Sequence, residues 1–387
     1  MPTIPESEYR ERTRRVQEAM KDRGLDLLVA YGCECESANV RYLADFWPSF
    51  DFAGIVVPAS GDPFLVTGGP ESSWFAESFS KIPDVRVNPR FVETSAPDWV
   101  PETESGDFSA LLKPLLESQQ VRRVGIANSN IIPHAIWADL EKAVSGRELV
   151  AADDVMFEVR TIKSEYEFEM LREANRITQA AMKAAIEYCE PGLTEWQVEA
   201  RARRVMYEEG AEGTSYGIWV CSGPNTRNAL CRSTDRRLEP GDLVQLTFGA
   251  KYKGYCGNMC RPLSLGEPKP EVRELMEVGL EAEKQTIDMM GPGVDSRRIF
   301  KAFDDLLRRH GMEEYALYGP AHGTGTQECE GPWLDGKQPI ELVPGMAFNV
   351  DIWLSDGKQG LRYEDAVIIT EKGAEELTGY RREIIIK

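Results

Sequence analysis

Apolar positions recur with a helical period over residues 7–23, and Gly24 closes that stretch. Ser7 reads as the cap of this helix, with Glu8 in its first turn. The segment that follows, Leu25-Asp26-Leu27-Leu28-Val29-Ala30, is apolar apart from Asp26 and reads as a short buried strand. Similar short runs predict strands at 53–57, 63–67, 85–87 and 123–127, with helices at 108–117 and 132–144 leading into 148–153. This alternation predicts an α/β layer. Gly68-Gly69 lacks the further glycines and the lysine of a phosphate-binding loop.

From residue 165 the pattern lengthens. A helix is predicted over 165–189, then a break at Pro191-Gly192-Leu193-Thr194, a helix to Gly210 and a strand near 218–221. The order repeats with a helix over 272–290, the break Gly291-Pro292-Gly293-Val294-Asp295, and a helix to Gly311. Helix, Pro-Gly break, Thr or Asp cap, helix and Gly stop in the same order indicate an internal duplication. Two such helix pairs, each covering strands, predict a site on the pseudo-two-fold axis between them. Strands at 243–248 and 255–261 flank the turn Lys251-Tyr252-Lys253-Gly254, and 342–352 with 361–369 form a second pair. The boundary near 153–164 divides the chain into domains 1–155 and 156–387. The expected class is α/β (α+β).

Composition narrows the partners. A length of 387 residues suits two or three domains with ample cores, and a net charge of −19 argues against nucleic acid or an anionic membrane. No run approaches the ~20 apolar residues that span a bilayer. The first eight residues lack a basic-then-apolar signal layout. Eight cysteines without CxxC spacing point to reduced thiols and a cytoplasmic location.

Five segments carry a family likeness: Gln245-Leu246-Thr247-Phe248-Gly249-Ala250, Gly257-Asn258-Met259-Cys260-Arg261, His322-Gly323-Thr324-Gly325, Phe348-Asn349-Val350-Asp351 and Arg362-Tyr363-Glu364-Asp365. In order and context they resemble the pita-bread superfamily of methionine aminopeptidase, Xaa-Pro peptidases and creatinase. The resemblance implies a creatinase-like N-terminal domain, a C-terminal pita-bread catalytic domain with an internal pseudo-two-fold repeat, and a homodimer. In the superfamily's metallopeptidases Asp, Asp, His, Glu (or Asp) and Glu hold two metals. The matching residues here are Thr247, Asn258, His322, Asp351 and Glu364. Neutral Thr247 and Asn258 cannot bridge two cations as carboxylates do. The expectation is therefore that no metal is bound, with one divalent ion on His322, Asp351 and Glu364 as the alternative. The peptidases' second histidine corresponds to Cys329, and creatinase's catalytic histidine to Leu230, next to Cys231. The aromatic stretch Tyr42, Phe46, Trp47, Phe50 and Phe52 either fills a core or closes a partner subunit's pocket.

Without metals, Asp351 and Glu364 would repel, so one should hold its proton and serve as acid, base or nucleophile beside His322. Arg362 lies two residues before Glu364 and either binds a substrate carboxylate or neutralises the pair. Glu330 either orients a substrate amine or faces solvent. The expected catalytic residues are His322, Glu364 and Asp351. Thr247, Asn258, Cys329, Glu330, Arg362, Leu230 and Cys231 are expected to bind a small-molecule substrate. These readings favour a metal-independent hydrolase of a C–N bond in a small non-peptide substrate. The alternatives are an Xaa-Pro peptidase with a single-metal site and a non-catalytic binding protein.

Overall fold

The computed structural model describes residues 2–92 and 107–387. They fall into two compact units, one of residues 4–160 and one built mainly of residues 161–387.

In the first unit the described residues form a six-stranded sheet in the order Val85–Val87, Phe64–Thr67, Ala53–Pro58, Leu27–Gly32, Arg123–Ala127, Glu148–Ala151. The central Leu27–Gly32 is buried at every position, as its unbroken apolar run requires when helices cover both faces of a sheet. Its helix runs Glu6–Asp22 and begins after Pro5, with no side-chain cap, so Ser7 lies inside the first turn rather than capping it. Helices Ala38–Ala44 and Pro70–Phe79 were not predicted. All seven residues of the first are buried, which erases any amphipathic period, whereas the second buries only Ser73 and Ala76. Of the aromatic stretch, Tyr42 and Phe46 are buried in the core, while Phe50 is 72% exposed in a left-handed backbone conformation.

The second unit is built on capped helix pairs. Glu165–Tyr188 opens on a reciprocal capping box between Ser164 and Glu167, and Glu195–Glu208 on one between Thr194 and Gln197. In the second pair, Pro270–Met289 has proline in its first turn and Ser296–Arg309 is capped by Asp295, which accepts from the Arg297 N–H. Helix Glu165–Tyr188 packs on strands Leu243–Phe248 and Met259–Ser264, and Pro270–Met289 on Ala347–Ser355 and Gly360–Thr370. The sheet beneath runs Glu330–Trp333, Ala321–Gly323, Ala347–Ser355, Gly360–Thr370, Met259–Ser264, Leu243–Phe248, Trp219–Ser222.

The predicted strand over 255–261 is in fact two. Tyr255–Cys256 pairs with Ala250–Tyr252 in a small sheet, and Met259–Ser264 joins the large one. Between them Gly257 presses its backbone on the first helix. A Cβ there would stand 2.5 Å from both the Ala174 carbonyl oxygen and Thr178 Oγ1. The Asn258 N–H then donates to Asn175 Oδ1 at 3.0 Å, which fixes the break in place.

A buried charge cluster joins sheet to helix. Arg261 Nη2 donates to both oxygens of Asp365 at 2.9 Å, Arg382 Nε donates to Asp365 Oδ2 at 2.7 Å, and Glu283 lies 3.7 Å from each guanidinium. Burial pushes the Glu283 carboxyl well up. Burial would raise Asp365 too, but Arg261 and Arg382 hold it below the usual range. Removing one partner of such a pair strands a buried charge, so Arg261→Met should lower unfolding stability in urea by about 3–5 kcal/mol. Lys301→Ala, which cuts the exposed i,i+4 pair with Asp305, should change it by less than about 0.5 kcal/mol in the same measurement.

Candidate active site

Register aligns one row of side chains across the large sheet. Trp219 stands opposite Thr247, Thr247 opposite Cys260, Cys260 opposite Glu364, and Glu364 opposite Asp351. Residues directly opposite share a face, so these five point the same way. Alternation adds Arg362 and Trp353 to that face. His322 joins from Ala321–Gly323, opposite Asn349, which is in phase with Asp351.

Trp219 and Asp351 of the row, with Arg362 and His322, line a cavity of about 920 Å³ together with Tyr216, Tyr318 and Glu328, and Thr247, Cys260 and Glu364 lie buried behind them. His322 Nδ1 lies 3.0 Å from the Gly323 carbonyl oxygen, so it takes the donor role and turns Nε2 inward. Nε2 stands 3.7 Å from Glu328 Oε1 and 3.7 Å from Glu364 Oε1. Both of these oxygens also accept from Asn258 Nδ2, each at 2.6 Å. The Tyr216 hydroxyl donates to Asn258 Oδ1 at 2.7 Å, and Cys260 Sγ donates to Glu364 Oε2 at 2.9 Å. Burial, then the charge of Asp351, raises the Glu364 carboxyl to about 7. Burial likewise raises Glu328. Burial alone would lower His322, but Cys329, Glu364 and Glu328 outweigh it and hold the imidazole well above its ordinary value. The protonated imidazole is therefore favoured beside the two carboxylates.

Several expected residues sit elsewhere or do other work. Asp351 Oδ1 faces Arg362 Nε at 3.1 Å, so this carboxylate is neutralised by a guanidinium. Arg362 is itself fixed, since its Nη2 donates to the Tyr318 hydroxyl at 2.5 Å and to the Ala229 carbonyl at 3.2 Å. Thr247 is sealed beneath the floor. Its cross-strand partner is Cys260 rather than Asn258, and its Oγ1 accepts from the Gln245 side chain at 3.4 Å. Glu330 does not reach the cavity, because Lys163 Nζ holds it in a buried pair at 2.9 Å. Leu230, 81% exposed, lines the cavity together with Cys231 and Cys329. Glu328 went unnoticed in the sequence because it belongs to the loop before Glu330–Trp333, where no period marks it. Tyr216, in the loop before Trp219–Ser222, also lines the cavity.

A two-ion set does not fit these residues. Thr247 is enclosed, the Asn258 amide donates where a bridging carboxylate would accept, and Asp351 is spent on Arg362. A single-ion set does fit. Among the described residues, His322, Glu328 and Glu364 each present a ligand atom within 4.8 Å of the other two. One imidazole with two carboxylates is a donor set for a divalent ion.

Residues 12–162 match the Creatinase/Prolidase N-terminal domain and residues 169–371 match Metallopeptidase family M24. The chain is 30% identical over 266 residues to the Xaa-Pro dipeptidase of Pyrococcus horikoshii, which covers 68% of this chain and 75% of that one. The crystal structure of the prolidase from Pyrococcus horikoshii superposes with a TM-score of 0.82 at 26% identity, over 97% of this chain and 100% of that one. That of dipeptidase PepE from Mycobacterium ulcerans gives a TM-score of 0.82 at 26% identity, over 99% of both chains. The α/β architecture, with a creatinase-like N-terminal domain and a pita-bread C-terminal domain, is thus shown.

Two expectations are overturned. Relatives named Xaa-Pro dipeptidase and prolidase replace the metal-independent hydrolysis of a small non-peptide substrate with a peptidase-type hydrolase. The metallopeptidase match, together with the His322, Glu328 and Glu364 group, replaces the expectation of no cofactor. With the M24 match spanning more than half of its length, the chain belongs to metallopeptidase family M24.

Proposed function

We propose that this chain is a metal-dependent peptidase that cleaves Xaa-Pro bonds in short peptides, dipeptides above all. The observation that carries the reading is the convergence of His322, Glu328 and Glu364, the first two lining a cavity walled by aromatic rings and one fixed arginine and the third buried just behind them. A divalent ion bound there would supply Lewis-acid polarisation of the scissile carbonyl.

The surrounding side chains bind and orient. Cys260 holds Glu364 Oε2, which leaves Oε1 facing His322. Tyr216 and Trp219 meet edge to face with ring centroids 5.7 Å apart, forming an apolar corner against which a pyrrolidine ring can pack. The Arg362 guanidinium lies 6.0 Å from the Trp219 ring and 5.6 Å from the Trp353 ring. Asp351, Tyr318 and the Ala229 carbonyl fix it in place, and the rest of its guanidinium fork is positioned to donate to the C-terminal carboxylate of a dipeptide. No described helix is long and apolar enough to cross a membrane.

Purified chain supplied with a divalent ion should hydrolyse an Xaa-Pro dipeptide, lose activity on chelation and regain it on re-addition. Silence towards Xaa-Pro dipeptides with zinc, manganese and cobalt alike would sink the peptidase reading. Arg362→Met should raise KM for the dipeptide roughly 10- to 100-fold, the worth of one hydrogen bond to a charged group. It should leave KM for the C-terminal amide of the same dipeptide nearly unchanged, and Arg362→Lys should recover part of the loss. An equal rise for acid and amide would show that Arg362 does not read the carboxylate.

A further inference from the structure

We infer that the site takes one ion per chain, held by His322 Nε2, Glu328, Glu364 and the side-chain oxygen of Asn258 once that amide has turned over. The inference deepens the peptidase reading by assigning the ligands. Its test reads binding alone, so it stands or falls separately from peptide cleavage.

The geometry around His322 asks for a bridging atom. His322 is 7% exposed, and with its Nδ1 taken by the Gly323 carbonyl its Nε2 is left turned toward Glu328 and Glu364. The two carboxylate oxygens nearest it, at 3.7 Å, lie beyond hydrogen-bond length. Ligands on one tetrahedral ion, with bonds of about 2.1 Å, stand roughly 3.4 Å apart. These separations therefore suit atoms arranged around a shared cation better than atoms bonded to one another.

Asn258 completes the set. Its Nδ2 now donates to both carboxylates, and its Oδ1 accepts from Tyr216. Rotation by half a turn about the terminal torsion exchanges the two atoms. The Tyr216 hydroxyl can donate or accept, so it satisfies the amide in either state. With Oδ1 inward the carboxylates lose their donor, and a cation takes its place and spreads the amide and carboxylate atoms from the present 2.6 Å toward the roughly 3.4 Å of a tetrahedral set. A single amide thus serves as hydrogen-bond bridge without the ion and as oxygen ligand with it.

Charge limits the number of ions to one. Glu328 and Glu364 together carry two negative charges when ionised, matching one divalent ion. A second ion would need Asp351, which Arg362 already neutralises, or Thr247, which is sealed and neutral. One nitrogen with three oxygens favours an ion of the zinc type over magnesium or calcium, which prefer six or more oxygens.

The probe is Co2+, titrated into full-length chain stripped with chelator. Its visible spectrum reports coordination, and a thiolate ligand would add an intense ultraviolet charge-transfer band. We expect one Co2+ per chain, by calorimetry and by elemental analysis after gel filtration, with no sulfur band. Glu328→Gln should weaken binding at least about 100-fold, since it removes an anionic ligand rather than an outer support, whose loss costs about 10- to 100-fold. Tyr216→Phe, which removes the hydroxyl that steadies the turned amide, should weaken it about 10-fold. Two ions per chain, no binding, a sulfur band, or unchanged affinity in Glu328→Gln would each overturn the assignment. Unchanged affinity in Tyr216→Phe would remove Asn258 from the ligand set.

Discussion

Strand register is the constraint on which the site depends. Five neighbouring strands bring Trp219, Thr247, Cys260, Glu364 and Asp351 into one row, and each adjacency is a backbone pairing rather than a side-chain contact. A slip of one residue anywhere in the row would send a member to the opposite face. The row is also why Cys260 matters. It holds the place between Thr247 and Glu364, and its thiol, pushed well up by burial, stays a neutral donor to the carboxylate.

The same strand serves two masters. In Gly360–Thr370, Arg362 and Glu364 face the cavity, whereas Asp365 faces the helix side and pairs with Arg261 and Arg382. Asp365 pins the strand from behind while Glu364 is presented in front. The buried ion cluster therefore acts as a register lock. Its cost in desolvation is offset in part by three hydrogen bonds to Asp365, two from Arg261 Nη2 and one from Arg382 Nε.

Much of this was legible in the chain. Long helices announced themselves through Pro-Gly breaks and cap residues, and the capping boxes at Ser164 and Thr194 follow from them. His322, Asn258 and Glu364 were legible as members of a motif, and the structure brings them together. What the sequence could not show was loop geometry. Glu328 reaches the floor because the chain from Gly323 to Glu330 doubles back antiparallel, a path with no periodic signature. Local pattern also cannot reveal that Lys163, distant in sequence, claims Glu330, or that Asp351 is neutralised by its neighbour's guanidinium. Helix Ala38–Ala44 escaped for the opposite reason, being too short and too uniformly buried to show a period.

The proposed ligand atoms come from widely separated parts of the chain, with sequence separations of 106 for Asn258 and Glu364 and 70 for Asn258 and Glu328. Contacts of that range form late, because the entropy of closing such loops precedes any gain from them. An ion of this kind therefore cannot nucleate folding in the way a compact zinc finger does. At the proposed site an ion would bind a sheet that is already assembled, so metal affinity would report completed topology and partly folded chains would stay chemically silent.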